Sequence, residues 1–311
     1  MANRRDVLKT FGLSAGFALL GKPAFSQPVK RMPSGNFRFC LNTSTINGQK
    51  RPLKELVDIA ARAGYDGVEL WIEDVKEYRK NNSLSTMKKL LSDSKLQVED
   101  AIGFAPWMNE DETKRKAGFA QMKEEMQMMA ELGCKRIAAP SAGVSADQPL
   151  NLFHVGQWYK ELIDLGRQTG VMPQLEFWGS SPVFYTLGQA MMAATAANDK
   201  DARVLPDVYH LFRGGSGFNS IGMLSGQAFD VIHMNDYPGN IPREQQHDSD
   251  RVYPGDGVAP LHQLLTDLAK MNSTKVLSLE LFNQKYWKQD PLTVAKTGLE
   301  KMQKLVAAVN A

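Results

Sequence analysis

Eight short apolar runs of strand length recur along this chain of 311 residues, and segments with helical periodicity alternate with most of them. The runs occupy residues 37–45, 67–71, 95–104, 135–141, 173–178, 202–211, 229–236 and 275–282. Alternating strands and helices without a break in composition predict one parallel α/β domain. Eight units favour a single (β/α)₈ TIM barrel over a doubly wound sheet, and no Gly-x-Gly-x-x-Gly follows the first run.

The first 26 residues have the pattern of an export signal. Arg4 and Arg5 precede a short apolar stretch, and Ala24-Phe25-Ser26 fits a small-x-small cleavage site. The pattern N-R-R-x-V-L-K is similar to a twin-arginine signal, which predicts export to the periplasm. An ordinary amphipathic helix is the alternative. The apolar stretch is shorter than the roughly 20 residues of a membrane span, so no stable membrane insertion is expected after the signal is removed.

This interpretation divides the chain into three parts: an export signal (1–26), a linker (27–36) and a catalytic barrel (37–311). Removing the signal changes the charge. The whole chain has a net charge of +3, whereas the remainder holds 33 basic and 33 acidic residues. A neutral chain does not fit a nucleic-acid-binding protein. Cys40 and Cys134 allow at most one disulfide, and we expect buried thiols instead.

Four consecutive predicted strands end in acidic or imidazole side chains. These are Glu176 on the fifth strand, Asp207 and His210 on the sixth, His233 and Asp236 on the seventh, and Glu280 on the eighth. The C-terminal ends of barrel strands form one face, which carries the active site. Buried charges are costly unless they are paired or bind a metal, and carboxylates with imidazoles suit Mn²⁺, Mg²⁺, Co²⁺ or Zn²⁺. The sequence therefore predicts a site for a divalent ion.

These strand ends resemble the xylose isomerase-like TIM barrels, the sugar phosphate isomerase/epimerase group. That group carries Glu on strand five, Asp-x-x-His on strand six, His near Asp on strand seven and Glu on strand eight. Arg followed by Pro-Gly-(Asp/Glu)-Gly comes after strand seven, and residues 251–257 here read Arg-Val-Tyr-Pro-Gly-Asp-Gly. Residues 60–70, AARAGYDGVEL, match the passage from the family's first helix to its second strand. The resemblance covers about residues 37–309.

The resemblance implies that Glu176, Asp207, His233 and Glu280 bind one divalent metal ion, with Mn²⁺ expected first and Mg²⁺, Co²⁺ or Zn²⁺ as alternatives. Glu176 and Glu280 are also the expected catalytic acid/base pair. Their structural alternative is a salt bridge to barrel lysines or arginines.

Further residues receive supporting roles from the same resemblance. His210 and Arg251 are expected to hold substrate oxygens, unless His210 is a core histidine and Arg251 a solvated loop residue. Asp236 is expected to orient His233 or Arg251. Apolar walls for the sugar are expected from Trp107 and Trp178, with Trp71 and Phe104 as further candidates. Glu69, at the end of the second strand, is expected to be structural or a distant wall of the pocket.

The reaction implied is removal of a proton next to a carbonyl, formation of a metal-stabilised enediolate, and return of a proton. This predicts a sugar isomerase or epimerase, on an unphosphorylated small sugar or a hydroxypyruvate-like compound because export separates the protein from sugar phosphates. The alternative is a lyase or dehydratase acting on a 3-keto-glycoside or keto-inositol. An endonuclease IV-like role is disfavoured by the neutral charge, and a pure sugar-binding role by the two opposed glutamates. The expected partner is a small-molecule carbohydrate, and a homo-oligomer stays open.

Overall fold

The computed structural model describes residues 36–147 and 150–309. The predicted signal (1–26) and all of the predicted linker except Asn36 lie outside the described residues. Among the helices of the described part, none combines the length and apolar character needed to cross a membrane.

Eight parallel strands form the barrel wall in the described part of the chain. They are β1 (Phe37–Asn42), β2 (Gly67–Trp71), β3 (Gln97–Ile102), β4 (Arg136–Pro140), β5 (Met172–Glu176), β6 (Val204–Leu205), β7 (Val231–Met234) and β8 (Lys275–Leu279). Five strands are hydrogen-bonded in the order β3-β2-β1-β8-β7 and three in the order β4-β5-β6. A bridge between Asp207 and His233 joins the β6 side to β7, and β3 lies beside β4. The predicted (β/α)₈ barrel is confirmed.

Helices follow the strands around the barrel. They are α1 (Leu53–Ala63), α2 (Ile72–Arg79), α3 (Leu84–Asp93), α4 (Glu112–Glu131), α5 (Leu152–Thr169), α6 (Leu187–Ala196), α7 (Val208–Arg213), α8 (Leu261–Lys270), α9 (Gln284–Trp287) and α10 (Pro291–Val309). Helix α1 ends at Gly64, whose φ of 97° is the left-handed conformation that glycine adopts most easily. Between the helices and the strands lies the main apolar core, while Cys40, Ile102 and Val231 belong to a smaller cluster contributed by the strands. Both cysteines are free and buried, as expected.

The sixth strand is much shorter than the predicted run 202–211. It ends at Leu205, and Pro206 follows, which has no N–H to continue a ladder. Asp207 then caps α7: its Oδ1 accepts a hydrogen bond of 2.8 Å from the backbone N–H of His210. Asp207 and His210 therefore lie at a strand-to-helix turn rather than in one strand, and the cap fixes their relative position.

Close helix packing around the barrel gives a stability prediction at Gly118 in α4. An added Cβ there would lie 2.5 Å from the backbone carbon of Pro106, so Gly118→Ala should destabilise the protein by about 1–3 kcal/mol. Gly188→Ala in α6 is the matched control, because its nearest atom would lie 3.9 Å away and alanine favours a helix by up to about 1 kcal/mol. Urea unfolding of both variants measures the difference, and equal free energies of unfolding would contradict the packing.

Candidate metal centre and active site

Four strand ends bring the predicted ligands together at one end of the barrel. Glu176 is the last residue of β5, Asp207 follows β6, His233 lies in β7 and Glu280 follows β8. All four side chains are buried, and Asp207 and His233 are 0% exposed. Parallel strands deliver their C-terminal residues to the same face, so residues more than 100 positions apart in sequence become neighbours.

The Nδ1 atom of His233 is the geometric centre of this cluster. It lies 3.3 Å from Oε2 of Glu280, 3.7 Å from Oδ2 of Asp207 and 3.8 Å from Oε1 of Glu176. Asp207, His233 and Glu280 each offer a ligand atom, all within 4.8 Å of one another. Nδ1 makes no hydrogen bond to any described residue. A buried imidazole nitrogen without a partner, facing three carboxylate oxygens, fits a divalent ion.

Arg251 counters part of this negative charge. Its buried guanidinium donates from Nη1 to Oδ2 of Asp207 at 2.8 Å and to Oε2 of Glu280 at 2.9 Å. Nη2 donates to Asp248 at 2.5 Å, and the guanidinium lies 4.7 Å from the centroid of the Tyr209 ring. Arg251 lines the cavity as expected, but its hydrogen bonds hold protein carboxylates. The structure therefore gives it a role in fixing the ligand set.

Burial and neighbouring charges shift the pKa values of the clustered groups in different directions. Burial, together with the charge of Glu280, raises the pKa of Glu176 to about 8 against the opposing effect of His233. Burial also opposes ionisation of Asp207, but the charges of Arg251, His210 and His233 and the hydrogen bond from the backbone of His210 together outweigh it and lower the pKa of Asp207 to about 2. Burial disfavours charge on His233, yet the carboxylates of Glu280 and Glu69 raise its pKa well above the ordinary value. Glu176 is thus the carboxylate able to hold a proton near neutral pH.

His210 lies beside this cluster and lines the cavity, in agreement with its predicted place. Its Nε2 is 3.3 Å from Nη2 of Arg251, and its Nδ1 makes no hydrogen bond to a described residue. Burial lowers the pKa of His210 to about 4, so the ring is neutral at pH 7. A neutral ring with an open nitrogen can hydrogen-bond a substrate hydroxyl.

Aromatic side chains wall a cavity of about 390 Å³ above the cluster. The aromatic lining residues are Trp71, Phe104, Trp178, Phe282 and Trp287. Ring centroids of Trp71 and Phe104 are 5.3 Å apart, and those of Phe104 and Trp178 are 6.1 Å apart, so these rings form a continuous surface. The sequence analysis did not identify Phe282 and Trp287 as cavity walls. Phe282 lies in the loop after β8 and Trp287 in a four-residue helix, and neither segment has a periodic pattern.

Trp107 was predicted to form an apolar wall of the sugar site, but its side chain does not line the cavity. Its side chain is 0% exposed, and its indole N–H donates to the carbonyl of Pro140 at 3.1 Å. The ring packs 6.2 Å from Tyr159, within the core outside the barrel. The expectation that Trp107 contacts a substrate is therefore corrected: its hydrogen bond and complete burial make it a core residue.

Asp236 organises a loop instead of touching His233 or Arg251. Its Oδ1 accepts hydrogen bonds from the backbone N–H groups of Tyr237 and Ala259, and its Oδ2 from that of Gly255. Its own backbone forms a two-way bridge with Val252. Asp236 thus acts on Arg251 only through the backbone of the loop that carries it, which corrects the expected direct contact.

Glu69 is the neighbour of the cluster that the sequence analysis left as structural. Its Oε1 lies 2.8 Å from Nε2 of His233, the ring nitrogen opposite Nδ1. The only sequence signal was an acidic residue inside the buried strand Gly-Val-Glu-Leu-Trp, where a charge needs a partner. That partner lies 164 positions away, beyond the reach of local patterns.

Metal affinity should depend on pH through the protons that the cluster holds. Because Glu176 has a pKa of about 8 and must lose its proton to bind, affinity should rise with pH up to at least pH 8. Below that value it should fall by about tenfold per pH unit for each proton displaced. Titrating Zn²⁺ by calorimetry from pH 6.5 to 9, in buffers of different ionisation enthalpy, measures affinity and proton release. A flat profile would contradict the assignment, and Glu176→Gln should make the profile shallower.

The chain is similar in sequence to a known family and to characterised relatives. Residues 57–305, most of the chain, match a family model described as the xylose isomerase-like TIM barrel. Inosose isomerase of Bacillus velezensis is 24% identical over 276 residues, which covers 87% of this chain and 97% of that protein.

Solved structures share the fold at low identity. A crystal structure of the IolI protein with a bound zinc atom has a TM-score of 0.80 and 23% identity, covering 88% of this chain and 99% of that one. An L-ribulose 3-epimerase structure has a TM-score of 0.69 and 14% identity, covering 88% and 95%. These likenesses establish the shared barrel.

Proposed function

The chain belongs to the xylose isomerase-like TIM barrel family, and we propose that it is a divalent-metal-dependent isomerase or epimerase acting on an unphosphorylated small sugar or related keto-polyol. One observation carries the proposal: the unpartnered Nδ1 of His233 faces three carboxylate oxygens at the end of the barrel where catalysis takes place. The similarity to inosose isomerases supports a cyclic ketone as one member of the substrate panel.

Glu176, Asp207, His233 and Glu280 would hold the ion. Their carboxylate oxygens and imidazole nitrogen suit a divalent ion such as Mn²⁺ or Zn²⁺. When bound, a divalent ion would polarise a carbonyl and a neighbouring hydroxyl of the substrate as a Lewis acid.

The protein's own groups supply the proton transfer. Glu176 lines the cavity beside the cluster and is the carboxylate placed to take a proton from the substrate carbon next to the carbonyl. Glu280 is fixed by hydrogen bonds from Arg251 and Asn42, and is the second carboxylate positioned to return a proton. Return to the same carbon on the opposite face gives epimerisation, whereas return to the former carbonyl carbon gives isomerisation. His210 would hold a substrate hydroxyl.

The cavity lining supports a neutral substrate. Among the lining residues Arg251 is the sole lysine or arginine, and its guanidinium already contacts three carboxylates. A phosphate group would find no uncommitted cation there, although phosphate binding usually relies on arginine, lysine or helix N-termini. Aromatic faces such as Trp71 and Trp178 suit the C–H faces of a sugar ring.

Proton exchange in D₂O tests the reaction directly. Mature protein loaded with Mn²⁺ would be incubated with free ketoses, hydroxypyruvate, a keto-inositol and a 3-keto-glucoside, and a chelator would be added to quench it before NMR. We expect deuterium to enter the carbon next to the carbonyl. Protein treated with EDTA before the incubation should show no such exchange. Loss of a β-substituent instead would indicate the lyase or dehydratase alternative. No exchange in metal-loaded protein would overturn the proposed chemistry.

Replacing the proposed base separates catalysis from binding. Glu176→Gln should lower the exchange rate by about 10²–10⁴-fold, because the amide cannot accept the proton. Glu131→Gln, at the exposed end of α4, is the matched control and should leave the rate unchanged. Equal rates in the two variants would exclude Glu176 as the base.

We further propose that residues 1–26 direct export through a twin-arginine route. Fusing this segment to a reporter that folds in the cytoplasm should carry the reporter to the periplasm of a bacterium with that pathway. Changing both Arg4 and Arg5 to lysine should retain the fusion in the cytoplasm, whereas changing Lys22 should have little effect. Unchanged export of the double variant would contradict a twin-arginine signal.

A further inference from the structure

We propose that Glu69 and Asn42 form a positioning pair that presents Nδ1 of His233 and one oxygen of Glu280 to the metal ion. The proposal rests on the metal site proposed above. Neither residue lines the cavity: Asn42 is the last residue of β1, and Glu69 lies in the middle of β2.

Glu69 is a fully buried carboxylate supported by hydrogen bonds from neutral side chains and by His233 rather than by a lysine or arginine. Its Oε1 lies 2.8 Å from Nε2 of His233, and its Oε2 accepts from Nδ2 of Asn42 at 2.9 Å and from Oγ of Ser278 at 2.6 Å. In the described part of the chain, no lysine or arginine forms an ion pair with it. Burying a carboxylate in this way is costly, so its placement calls for a reason beyond packing.

His233 gives that reason, because the two nitrogens of an imidazole are not equivalent. A carboxylate at Nε2 requires that nitrogen to carry the proton, which leaves Nδ1 as the lone-pair donor. Nδ1 is the atom that faces Glu280, Asp207 and Glu176. Glu69 therefore selects the tautomer and the ring orientation that a metal ligand needs.

Asn42 extends the same control to Glu280. Its Oδ1 accepts hydrogen bonds from the indole N–H of Trp71 at 2.8 Å and from the backbone N–H of Ser44 at 3.0 Å. These donors fix which side of the amide is oxygen, so both N–H bonds of Nδ2 are free to donate. They go to Glu69 and, at 3.0 Å, to Oε1 of Glu280. Oε2 of Glu280 is left facing His233.

The isosteric variant Glu69→Gln tests the tautomer argument. A glutamine has one acceptor oxygen for the three donors that surround Glu69. If that oxygen faces Asn42 and Ser278, its NH₂ faces Nε2 of His233 and drives the proton to Nδ1. If it turns the other way, its NH₂ opposes that of Asn42. Either arrangement weakens the metal site without changing side-chain volume.

Zinc affinity, measured by competition with a chelator at pH 8, is the first readout. Glu69→Gln should bind Zn²⁺ about 10–100-fold more weakly than the wild type. Two controls separate positioning from general damage. Ser278→Ala removes one donor to Glu69 but keeps the contact with His233, and Glu125→Gln makes the same substitution at another fully buried glutamate in α4. Both controls should bind like the wild type, and an equal loss in Glu125→Gln would overturn the positioning role.

Histidine-labelled ¹⁵N NMR of the zinc-loaded wild-type protein provides a readout that needs no variant. We expect His233 to bind zinc through Nδ1 and to show an Nε2–H proton protected from exchange. Coordination through Nε2 would overturn the proposal even if Glu69→Gln fails to fold. A wild type without zinc affinity would instead overturn the metal site itself, whereas tight binding that survives Glu69→Gln would overturn only the positioning role.

Discussion

Mutual repulsion of buried carboxylates is the constraint on which the rest of the active end depends. Glu176, Asp207 and Glu280 converge within a few ångströms of one imidazole nitrogen, where water cannot screen them. Arg251 neutralises part of this charge because it forms salt bridges with two of the three carboxylates, Asp207 and Glu280. Burial, together with the remaining negative charge, raises the pKa of Glu176, and burial is overcome by the carboxylates that raise the pKa of His233. A divalent cation is the natural complement of such a cluster, and its absence would leave the protein to bind protons instead.

Two carboxylates of the cluster, Asp207 and Glu176, have similar chemistry but different surroundings. Asp207 receives hydrogen bonds from Arg251, Asn235 and the backbone of His210, so it is fixed as an anion. Glu176 receives no such support from a described residue and lies against the cavity. The same side-chain group is therefore a fixed anion in one position and a candidate proton carrier in the other, because hydrogen bonding differs.

The sequence predicted the barrel and the meeting of the strand-end side chains, because both follow from the alternation of parallel strands and helices. Parallel strands place their ends at one face, so Glu176 and Glu280 could be grouped without a structure. Contacts across the barrel could not be predicted in this way. The partner of Glu69 is far away in sequence, and Trp107 was indistinguishable from Trp178 until burial separated them. The length of β6 was overestimated because an apolar run does not reveal that Pro206 and the cap at Asp207 end it.

Asp207 is at once a candidate ligand and the first residue of a helix, and this double use has an evolutionary consequence. An N-cap contributes about 0.5–2 kcal/mol, so a mutation there would disturb folding and chemistry together. Substitutions at that turn should therefore be purged early in any lineage. Phe104, Phe282 and Trp287, by contrast, come from loops and a short helix and cap no helix. Substitutions that change substrate preference can therefore accumulate at Phe104, Phe282 or Trp287, whereas the charged cluster at the strand ends stays unchanged.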